Sequence, residues 1–525
     1  MKCFFVVRIF LGNLLLRDRY LRFLRREAAC KLPRNRAQSG MILIESDQVY
    51  LNQIAQYYSS GPLMKFFSAE IFSYRMGKLN WWTPYTSRIR HFLSLAYGFG
   101  SRQLILIDGK VSEPIKNNAQ ELLRSIRSKR DLETLHVSGI LIGDLIYDRF
   151  LSSNQVATLD LQSNVFRESF QETLAYFFRW LEFFKNNDVK AVCISHCVYH
   201  YAIPARIAIH CRTPVFEITA GQVFKLDEDN LHAVVSNYTL KEIAESGLEE
   251  NSQAVSSIGN REISEYLRPD ASKNFNLNSL HGRIISNNLN LDLDPNKITI
   301  LIAMHLFYDA PHRYGAAIFP DFYEWLCHLG HLANKTDFNW LIKSHPDLPP
   351  SKDSIINELL LKYPKFQLVP TASSHATFVE LGVDFVLTVH GSVGFDFPLL
   401  GIPVIGANPN APYADFDFSI SPKTIDEFNE IILGLHGNSK TVDKEELASF
   451  FYARSVTQFD GWLINNYPEF LQDVGGMNNS MSQKVLQYFV RNPDIRLHSK
   501  IEQGLMQFFR SGENVLKMEH FIIQS

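Results

Sequence analysis

The sequence predicts an α/β protein made of two doubly wound domains and a helical carboxyl-terminal extension. Short apolar segments alternate with longer segments whose apolar residues recur every three or four positions. A polar stretch rich in Asn and Ser at residues 236–295 interrupts this alternation once. The length of 525 residues also exceeds that of one ordinary domain. Because strands that alternate with helices form parallel sheets covered on both faces, we expect two such sheets.

Residues 41–235 form the predicted amino-terminal domain. Its apolar segments predict strands at 41–46, 103–108, 139–143, 189–195 and 214–218. Residues 162–184 carry apolar side chains at helical spacing and predict a long amphipathic helix. Residues 236–295 are interpreted as the connection to the second domain.

Residues 296–439 form the predicted second domain, and residues 440–525 predict helices. The strands expected in the second domain lie at 298–305, 338–345, 365–370, 384–390 and 403–407. Ligands of open α/β sheets bind outside the carboxyl ends of the strands. With two such domains facing each other, the cleft between them is the predicted ligand site.

The amino-terminal segment at residues 1–40 differs from the rest of the chain in charge. It holds ten basic and two acidic residues, whereas the whole chain carries a formal net charge of −3, which gives no indication of a nucleic-acid partner. One interpretation is a basic segment that lies on the cytoplasmic face of an inner membrane. The other is a buried first element with solvated arginines. Six cysteines without a CxxC pair favour a reduced, cytoplasmic protein.

Four predicted strands end in histidine. The residues are His196 in the first half and His305, His345 and His390 in the second. A single histidine at such a position is ordinarily a loop residue with a backbone partner. Four at equivalent positions favour a functional site, since the carboxyl ends of parallel strands lie along one edge of a sheet. We expect His196 and His305 on the acceptor side of the cleft.

The segment LIKSHPDLPP contains the end of the strand predicted at 338–345. Lys343 and His345 lie at this end, and Pro346 favours extended backbone at His345. Both side chains can approach an anion, and a histidine can act as an acid near neutral pH. The alternative is a rigid surface turn that binds nothing.

The segment HGSVGFDF carries the second motif. Gly391 and Gly394 allow a tight turn, and Ser392 is placed to cap a short helix whose first amides could bind phosphate. The spacing is neither GxGxxG nor GxxxxGK[ST], so neither a dinucleotide fingerprint nor an ATP P-loop is predicted. The alternative is a tight turn between a strand and a helix, without a ligand.

These two motifs, with the segment GIPVI after them, resemble the nucleotide-binding half of GT-B-type glycosyltransferases. The resemblance covers about residues 298–405. It is to enzymes of bacterial capsule and surface-polysaccharide synthesis, among them 3-deoxy-D-manno-octulosonic acid transferases and polysialyltransferases, which use CMP-activated donors. Teichoic-acid glycerophosphotransferases are similar in this half.

The resemblance implies a GT-B-like fold of two facing Rossmann-like domains, and it implies roles for particular residues. His345-Pro346 and Gly391-Ser392 would hold the donor phosphate, and Asp396 stands where many relatives carry glutamate. The donor-nucleotide site predicted in this way comprises Lys343, His345, Pro346, His390, Gly391, Ser392, Gly394 and Asp396.

Acceptor activation needs a base or a nucleophile, and two carboxylates are candidates. Asp144 follows the strand predicted at 139–143, and Asp309 lies shortly after His305. For each, the alternative is a helix cap or a structural ion pair. With His345 as the acid that assists departure of the donor phosphate, Asp144 and Asp309 complete the predicted catalytic set.

No metal and no cofactor are predicted. The DxD pattern occurs three times in loop-like contexts and therefore discriminates little. GT-B-type enzymes generally hold the donor phosphate with amides and basic side chains. The expected ligands are a nucleotide-sugar, with CMP-linked sugars among the candidates, and a glycan or lipid-linked acceptor.

The sequence thus predicts a cytoplasmic, metal-independent glycosyltransferase of surface-polysaccharide or capsule biosynthesis, which under the first interpretation of residues 1–40 is bound peripherally at the inner membrane. Two alternatives stay open. One is a nucleotide-sugar epimerase of the same architecture, and the other is a non-catalytic partner in a polysaccharide assembly complex.

Overall fold

The computed structural model describes most of the chain between residues 39 and 521. The described residues are 39–46, 49–77, 101–232, 237–268, 291–345, 348, 353–435, 441–457, 462–464, 467–475, 484–491 and 495–521. Pro346 and all but the last two positions of the basic segment 1–40 lie outside this set. Within the described part of the chain, no helix has both the length and the apolar composition needed to cross a membrane.

The first domain is built on a six-stranded sheet. Its strands are β1 Met41–Glu45, β2 Glu70–Met76, β3 Leu104–Ile107, β6 Val189–Ile194, β7 Val215–Ile218 and β8 Val223–Leu226. They lie in the order β3-β2-β1-β6-β7-β8, and all neighbours are parallel except β8, which is antiparallel to β7. Strands β4 His136–Val137 and β5 Ile140–Leu141 form a separate antiparallel hairpin.

The second domain is built on a fully parallel six-stranded sheet. Its strands are β9 Thr299–Ala303, β10 Asn339–Lys343, β11 Phe366–Val369, β12 Phe385–Thr388, β13 Val404–Gly406 and β14 Ser419–Ile420. They lie in the order β11-β10-β9-β12-β13-β14. In both sheets this is the Rossmann order, so the direction of winding reverses between β1 and β6 and between β9 and β12. The predicted architecture of two Rossmann-like domains is confirmed.

Helices cover both sheets, as parallel strands require. In the first half they are α1 Tyr50–Phe67, α2 Glu113–Ser125, α3 Lys129–Glu133, α4 Gly143–Asn154, α5 Asn164–Asn186, α6 Ile203–His210 and α7 Asn237–Tyr266. In the second half they are α8 Phe322–Lys335, α9 Asp353–Lys362, α10 His375–Glu380, α11 Val393–Leu399, α12 Ile425–Leu433, α13 Lys444–Thr457, α14 Tyr467–Val474, α15 Lys484–Arg491 and α16 Ile495–Ser511. Two short 3₁₀ helices lie at Tyr199–Ala202 and Met518–Phe521.

One predicted strand of the first domain is wrong. The segment 139–143 contributes only β5, which pairs with β4 and not with the main sheet. Two strands of that sheet, β2 and β8, were not predicted. Polar residues such as Ser73 and Arg75 interrupt the apolar character of β2, and its burial alternates because only some of its side chains face the core.

The carboxyl-terminal region is helical, as predicted, and it packs on the first domain. Leu505 and Phe508 of α16 share one core cluster with Ile54 of α1 and Phe216 of β7. The predicted connection begins with α7, in which non-helical backbone at Asn251 separates two helical halves, and α7 packs against α13. The approach is close, because a Cβ on Gly259 of α7 would lie 2.1 Å from the carbonyl oxygen of Ala448.

A buried polar cluster joins the two domains. His312, from the loop after β9, lies with Nδ1 2.5 Å from a carboxylate oxygen of Asp148 and with Nε2 2.8 Å from one of Glu133. Although burial alone would lower it, these two carboxylates raise the pKa of His312 to about 10. Nearby, the hydroxyl of Tyr147 donates to Asp321 at 2.6 Å. These contacts fix the first domain against the second beside the cleft.

Candidate functional site

A cavity of about 660 Å³ lies between the domains, at the carboxyl edge of the second sheet. Its size is typical of small-ligand sites. It lies beyond the carboxyl ends of β9 and β12, the neighbouring strands between which the winding reverses, and this is the position that the strand order predicts for a ligand. The predicted site residues that line it are His196, His305, Asp309, Lys343, His345, His390, Gly391 and Ser392.

Lys343 is the last residue of β10, and its side chain reaches the cavity from the second sheet. Only 9% of the residue is exposed, and burial lowers the pKa of its ammonium group. With the described residues the ammonium forms neither a hydrogen bond nor an ion pair. A buried cation without a counter-charge is costly, and an anionic ligand would supply that counter-charge.

His305 and His390 form part of the floor of the cavity. Their ring centroids are 4.6 Å apart, and the backbone N–H of His390 donates to Nε2 of His305 at 3.3 Å. Burial lowers the pKa of His390 to about 3 and that of His305 well below its usual range. Both rings are therefore uncharged near neutral pH, so neither supplies positive charge to a bound phosphate.

Asp309 is the sole carboxylate among the described residues that line the cavity. It accepts a hydrogen bond from the hydroxyl of Tyr199 at 3.1 Å, across the interface between the two domains. It also accepts one from the backbone N–H of Ala310 at 2.8 Å. Its predicted place at the cleft agrees with this geometry, and its catalytic role stays a prediction.

Asp144 does not lie where the sequence placed it. It is in the first turn of α4, is buried, and pairs with the guanidinium of Arg206 at 2.7 Å. Burial raises the pKa of this carboxyl, but Arg206, His232 and His312 together offset that effect and hold the pKa below the usual value. Because β5 belongs to a hairpin, its end does not reach the carboxyl edge of the main sheet. The geometry indicates a structural ion pair.

The loop after β12 reaches the cavity with Gly391 and Ser392 but not with Gly394 or Asp396. Gly391 has a φ of +97°, a conformation that favours glycine. Ser392 precedes the seven-residue helix α11 but forms no side-chain capping hydrogen bond, contrary to prediction. Asp396 is buried and accepts from the hydroxyl of Tyr266 at 2.7 Å, and burial raises the pKa of its carboxyl to about 6.

Gly394 serves packing, because a Cβ at this position would lie 1.9 Å from Cζ of Tyr413. We expect Gly394→Ala to lower the free energy of unfolding by about 1–3 kcal/mol, measured as a lower thermal midpoint. Gly61→Ala is the matched control, because Gly61 lies within α1 with open space around it and should tolerate alanine. A Gly394→Ala protein as stable as the wild type would contradict the packing role.

Several residues that line the cavity were not predicted, and Arg313 is foremost among them. Its guanidinium forms no hydrogen bond and no ion pair with the described residues. The nearby carboxylate of Glu217 interacts with it electrostatically. Arg313 lies in the loop after β9 and does not directly follow a strand. No local pattern therefore distinguishes it from a surface arginine.

A second cavity, of about 270 Å³, adjoins the first. The two share four lining residues: Arg313, Tyr314, Gly391 and Ser392. Helix α13 contributes Phe450 and Arg454 to the second cavity, so the carboxyl-terminal region takes part in the cleft. Tyr413 also lines this cavity, and its buried hydroxyl has no hydrogen-bond partner among the described residues.

Among the described residues, no three His, Cys, Asp or Glu side chains are grouped closely enough to hold a metal ion. The expectation of a metal-free site stays a prediction.

No family model matches the chain, and neither does any curated protein. Similar solved structures include Thermosulfurimonas dismutans KpsC, a beta Kdo 2,4 transferase, at 12% identity and a TM-score of 0.31, over 52% of this chain and 81% of that one. The UDP-GlcNAc 2-epimerase of Methanocaldococcus jannaschii, solved with UDP-GlcNAc and UDP, has 8% identity and a TM-score of 0.25. The match covers 78% of this chain and 97% of that one. The UDP-GlcNAc 2-epimerase of Neisseria meningitidis, solved with bound UDP-GlcNAc, has 12% identity and a TM-score of 0.22. The match covers 86% of this chain and 100% of that one.

These similarities include both enzyme classes considered from the sequence, a transferase and epimerases. TM-scores of this size carry no argument about activity. The two-domain fold is established by the strand order of the two sheets, and the chemistry has to be judged from the cavity.

Proposed function

We propose that this protein is a glycosyltransferase that moves a sugar from a nucleotide-activated donor to a glycan or lipid-linked acceptor. The observation that carries the proposal is the cavity at the winding reversal of the second sheet, where two cations form neither a hydrogen bond nor an ion pair with the described residues. Lys343 and Arg313 face a space large enough for a nucleotide-sugar, and only one carboxylate lines it. A phosphate-bearing ligand neutralises this excess of positive charge.

In this proposal the donor phosphate lies between the two cations and the loop after β12. His345 and Ser392, which line the same cavity, contact the phosphate, and His345 assists its departure. As the bond between the anomeric carbon and the phosphate oxygen breaks, negative charge grows on the phosphate. Lys343 and Arg313 then stabilise the transition state more than the bound donor.

The second cavity supports the proposal of a transferase, because a transferase needs space for an acceptor beside the donor, whereas an epimerase interconverts one sugar without an acceptor. Here the additional space of about 270 Å³ joins the main cavity beside Ser392 and Arg313, so a second sugar can be bound next to the donor. In the proposal, the acceptor enters from this side and from the wall formed by the first domain, where His196 lies. The predicted membrane contact through residues 1–40 would place the protein near lipid-linked acceptors.

The test is stabilisation of the purified full-length chain by a panel of CMP, UDP, GDP and CDP and their sugar conjugates. One nucleotide class is expected to raise the thermal midpoint, since a ligand at 100 times its Kd stabilises by about 2.7 kcal/mol. His345→Ala and Ser392→Ala are expected to reduce that shift. His136→Ala, which changes an exposed histidine outside the cavity, is the matched control.

Each other outcome points to a specific alternative. Stabilisation by none of the nucleotides would exclude a transferase and favour the non-catalytic partner. Interconversion of a nucleotide-sugar without an acceptor would favour the epimerase. If the nucleotide raises the thermal midpoint of His345→Ala and of Ser392→Ala as much as that of the wild type, the nucleotide binds elsewhere.

A further inference from the structure

The wall that the first domain contributes to the cavity is a short loop after β6. Ser195 and His196 follow the strand directly, and His196, Val198 and Tyr199 line the cavity. Strand β6 pairs with β1, and the winding of the first sheet reverses between these two strands. The loop therefore occupies, in the first domain, the position equivalent to that of the phosphate-facing residues in the second.

A chain of hydrogen bonds connects His196 to a buried carboxylate. Glu45, at the end of β1, is 5% exposed and accepts at Oε2 from both the backbone N–H and the hydroxyl of Ser195, each at 2.8 Å. Nδ1 of His196 lies 2.7 Å from the same Ser195 hydroxyl oxygen. Glu45, Ser195 and His196 thus form one continuous chain from the core of the first domain to the cavity.

The single proton of the Ser195 hydroxyl determines the direction of this chain. A hydrogen bond to a carboxylate is stronger than one to a neutral ring nitrogen, so the hydroxyl donates to Glu45. Its oxygen then accepts from His196, which must carry its proton on Nδ1. In this tautomer Nε2 has the lone pair and is the basic atom of the ring.

The surrounding loop is held in a fixed shape. The thiol of Cys197 donates to the buried carboxylate of Glu217 at 3.2 Å. Tyr199 adopts a φ of +56°, which is uncommon and costly for a residue other than glycine. It also bridges to Asp309 of the second domain. Such strain persists only where the surrounding contacts impose it, and here they orient a histidine towards the cleft.

We infer that His196 is the general base of the reaction and that Ser195 and Glu45 are positioning residues for it. The inference rests on the proposed function and adds the group that activates the acceptor. An acceptor hydroxyl forms a bond to the anomeric carbon of the donor while its proton passes to Nε2 of His196. The bond from that carbon to the phosphate oxygen breaks, and its electron pair leaves with the phosphate. The imidazolium that results is stabilised by Glu45 through Ser195.

The tautomer can be tested without any substrate. Nitrogen–proton correlation spectra of the full-length chain, labelled with ¹⁵N-histidine, distinguish the Nδ1–H from the Nε2–H form, and His196→Gln identifies the signal. The wild type is expected to show Nδ1–H. Ser195→Ala should lose this preference, and Ser195→Thr, which retains a hydroxyl, should restore it. An Nε2–H form in the wild type would overturn the inference.

Turnover with the donor identified by the nucleotide panel tests the role in catalysis. His196→Gln is expected to lower kcat about 10²–10⁴-fold with little change in the KM for the donor. Ser195→Ala and Glu45→Gln should lower kcat by less than His196→Gln does. Ser195→Thr, which keeps the hydroxyl, should have a kcat close to that of the wild type. A kcat of the His196→Gln enzyme within threefold of the wild-type kcat would refute the role of His196 as general base. Failure of the proposed function is recognised separately, because no nucleotide would then stabilise even the wild type.

Discussion

Replacement of Arg313 by alanine is expected to weaken binding of the donor nucleotide by 30-fold or more. Its guanidinium lines both cavities and has no hydrogen-bond or ion-pair partner among the described residues, so its donors are available to an anionic ligand. Removing one partner of a buried, hydrogen-bonded charge pair costs about 2–5 kcal/mol, which corresponds to this factor. Calorimetric titration with the nucleotide that stabilises the wild type measures the change in Kd.

Two further variants make this test specific. Arg313→Lys keeps the charge but not the planar fork of donors, and an intermediate Kd is expected. Arg167→Ala, which removes an exposed arginine of α5, should leave the Kd unchanged. An Arg313→Ala protein that folds normally and binds the nucleotide with the wild-type Kd would remove Arg313 from the site.

Replacement of His312 by glutamine is expected to lower the free energy of unfolding by about 3–5 kcal/mol. The change leaves the buried carboxylate of Asp148 without a cationic partner among the described residues and leaves Glu133 paired with Arg130 alone, and uncompensated buried charges are strongly destabilising. The thermal midpoint of the full-length protein measures the effect. His136→Gln, at an exposed position, is the control and should change the midpoint little.

The pH dependence of this difference identifies its electrostatic origin. The folded-state pKa of His312, about 10, lies above the value near 6.5 expected for an unfolded chain. Burial raises the pKa of Asp148 to about 6, so the pair is charged on both sides above that pH. The folded state binds the His312 proton more tightly than the unfolded chain, and this stabilisation is therefore lost as the pH rises from 6.5 through about 10. The difference between the wild type and His312→Gln should shrink over that interval. A difference independent of pH would indicate loss of packing instead.

Part of the second-domain wall of the cavity could be predicted from the sequence. Lys343, His390 and Gly391 lie where an apolar segment breaks into polar or glycine residues, and such a break marks the end of a buried strand. Parallel strands place those ends along one edge. The burial of β10 and β12 on both faces is what made these segments continuously apolar and easy to recognise.

The first domain was harder to predict, because long-range pairing decides which segments join its sheet. The segment 139–143 is as apolar as a core strand, yet it folds into the hairpin of β4 and β5. Asp144 consequently lies in an ion pair and not at the cleft. Gly394 and Asp396 belong to the predicted HGSVGFDF motif, but helix α11 turns them towards Tyr413 and Tyr266.

The sequence by itself determined the two-domain α/β architecture and the strand ends of the second sheet, since both follow from local alternation of apolar and polar residues. Only the tertiary structure decided which charged side chains face the cleft. Arg313 lies in a loop whose position depends on how the two domains pack. Glu45 and Ser195 are 150 residues apart in the chain, and the pairing of β1 with β6 brings them together. Contacts of this kind depend on burial and pairing between distant segments, which no local pattern specifies.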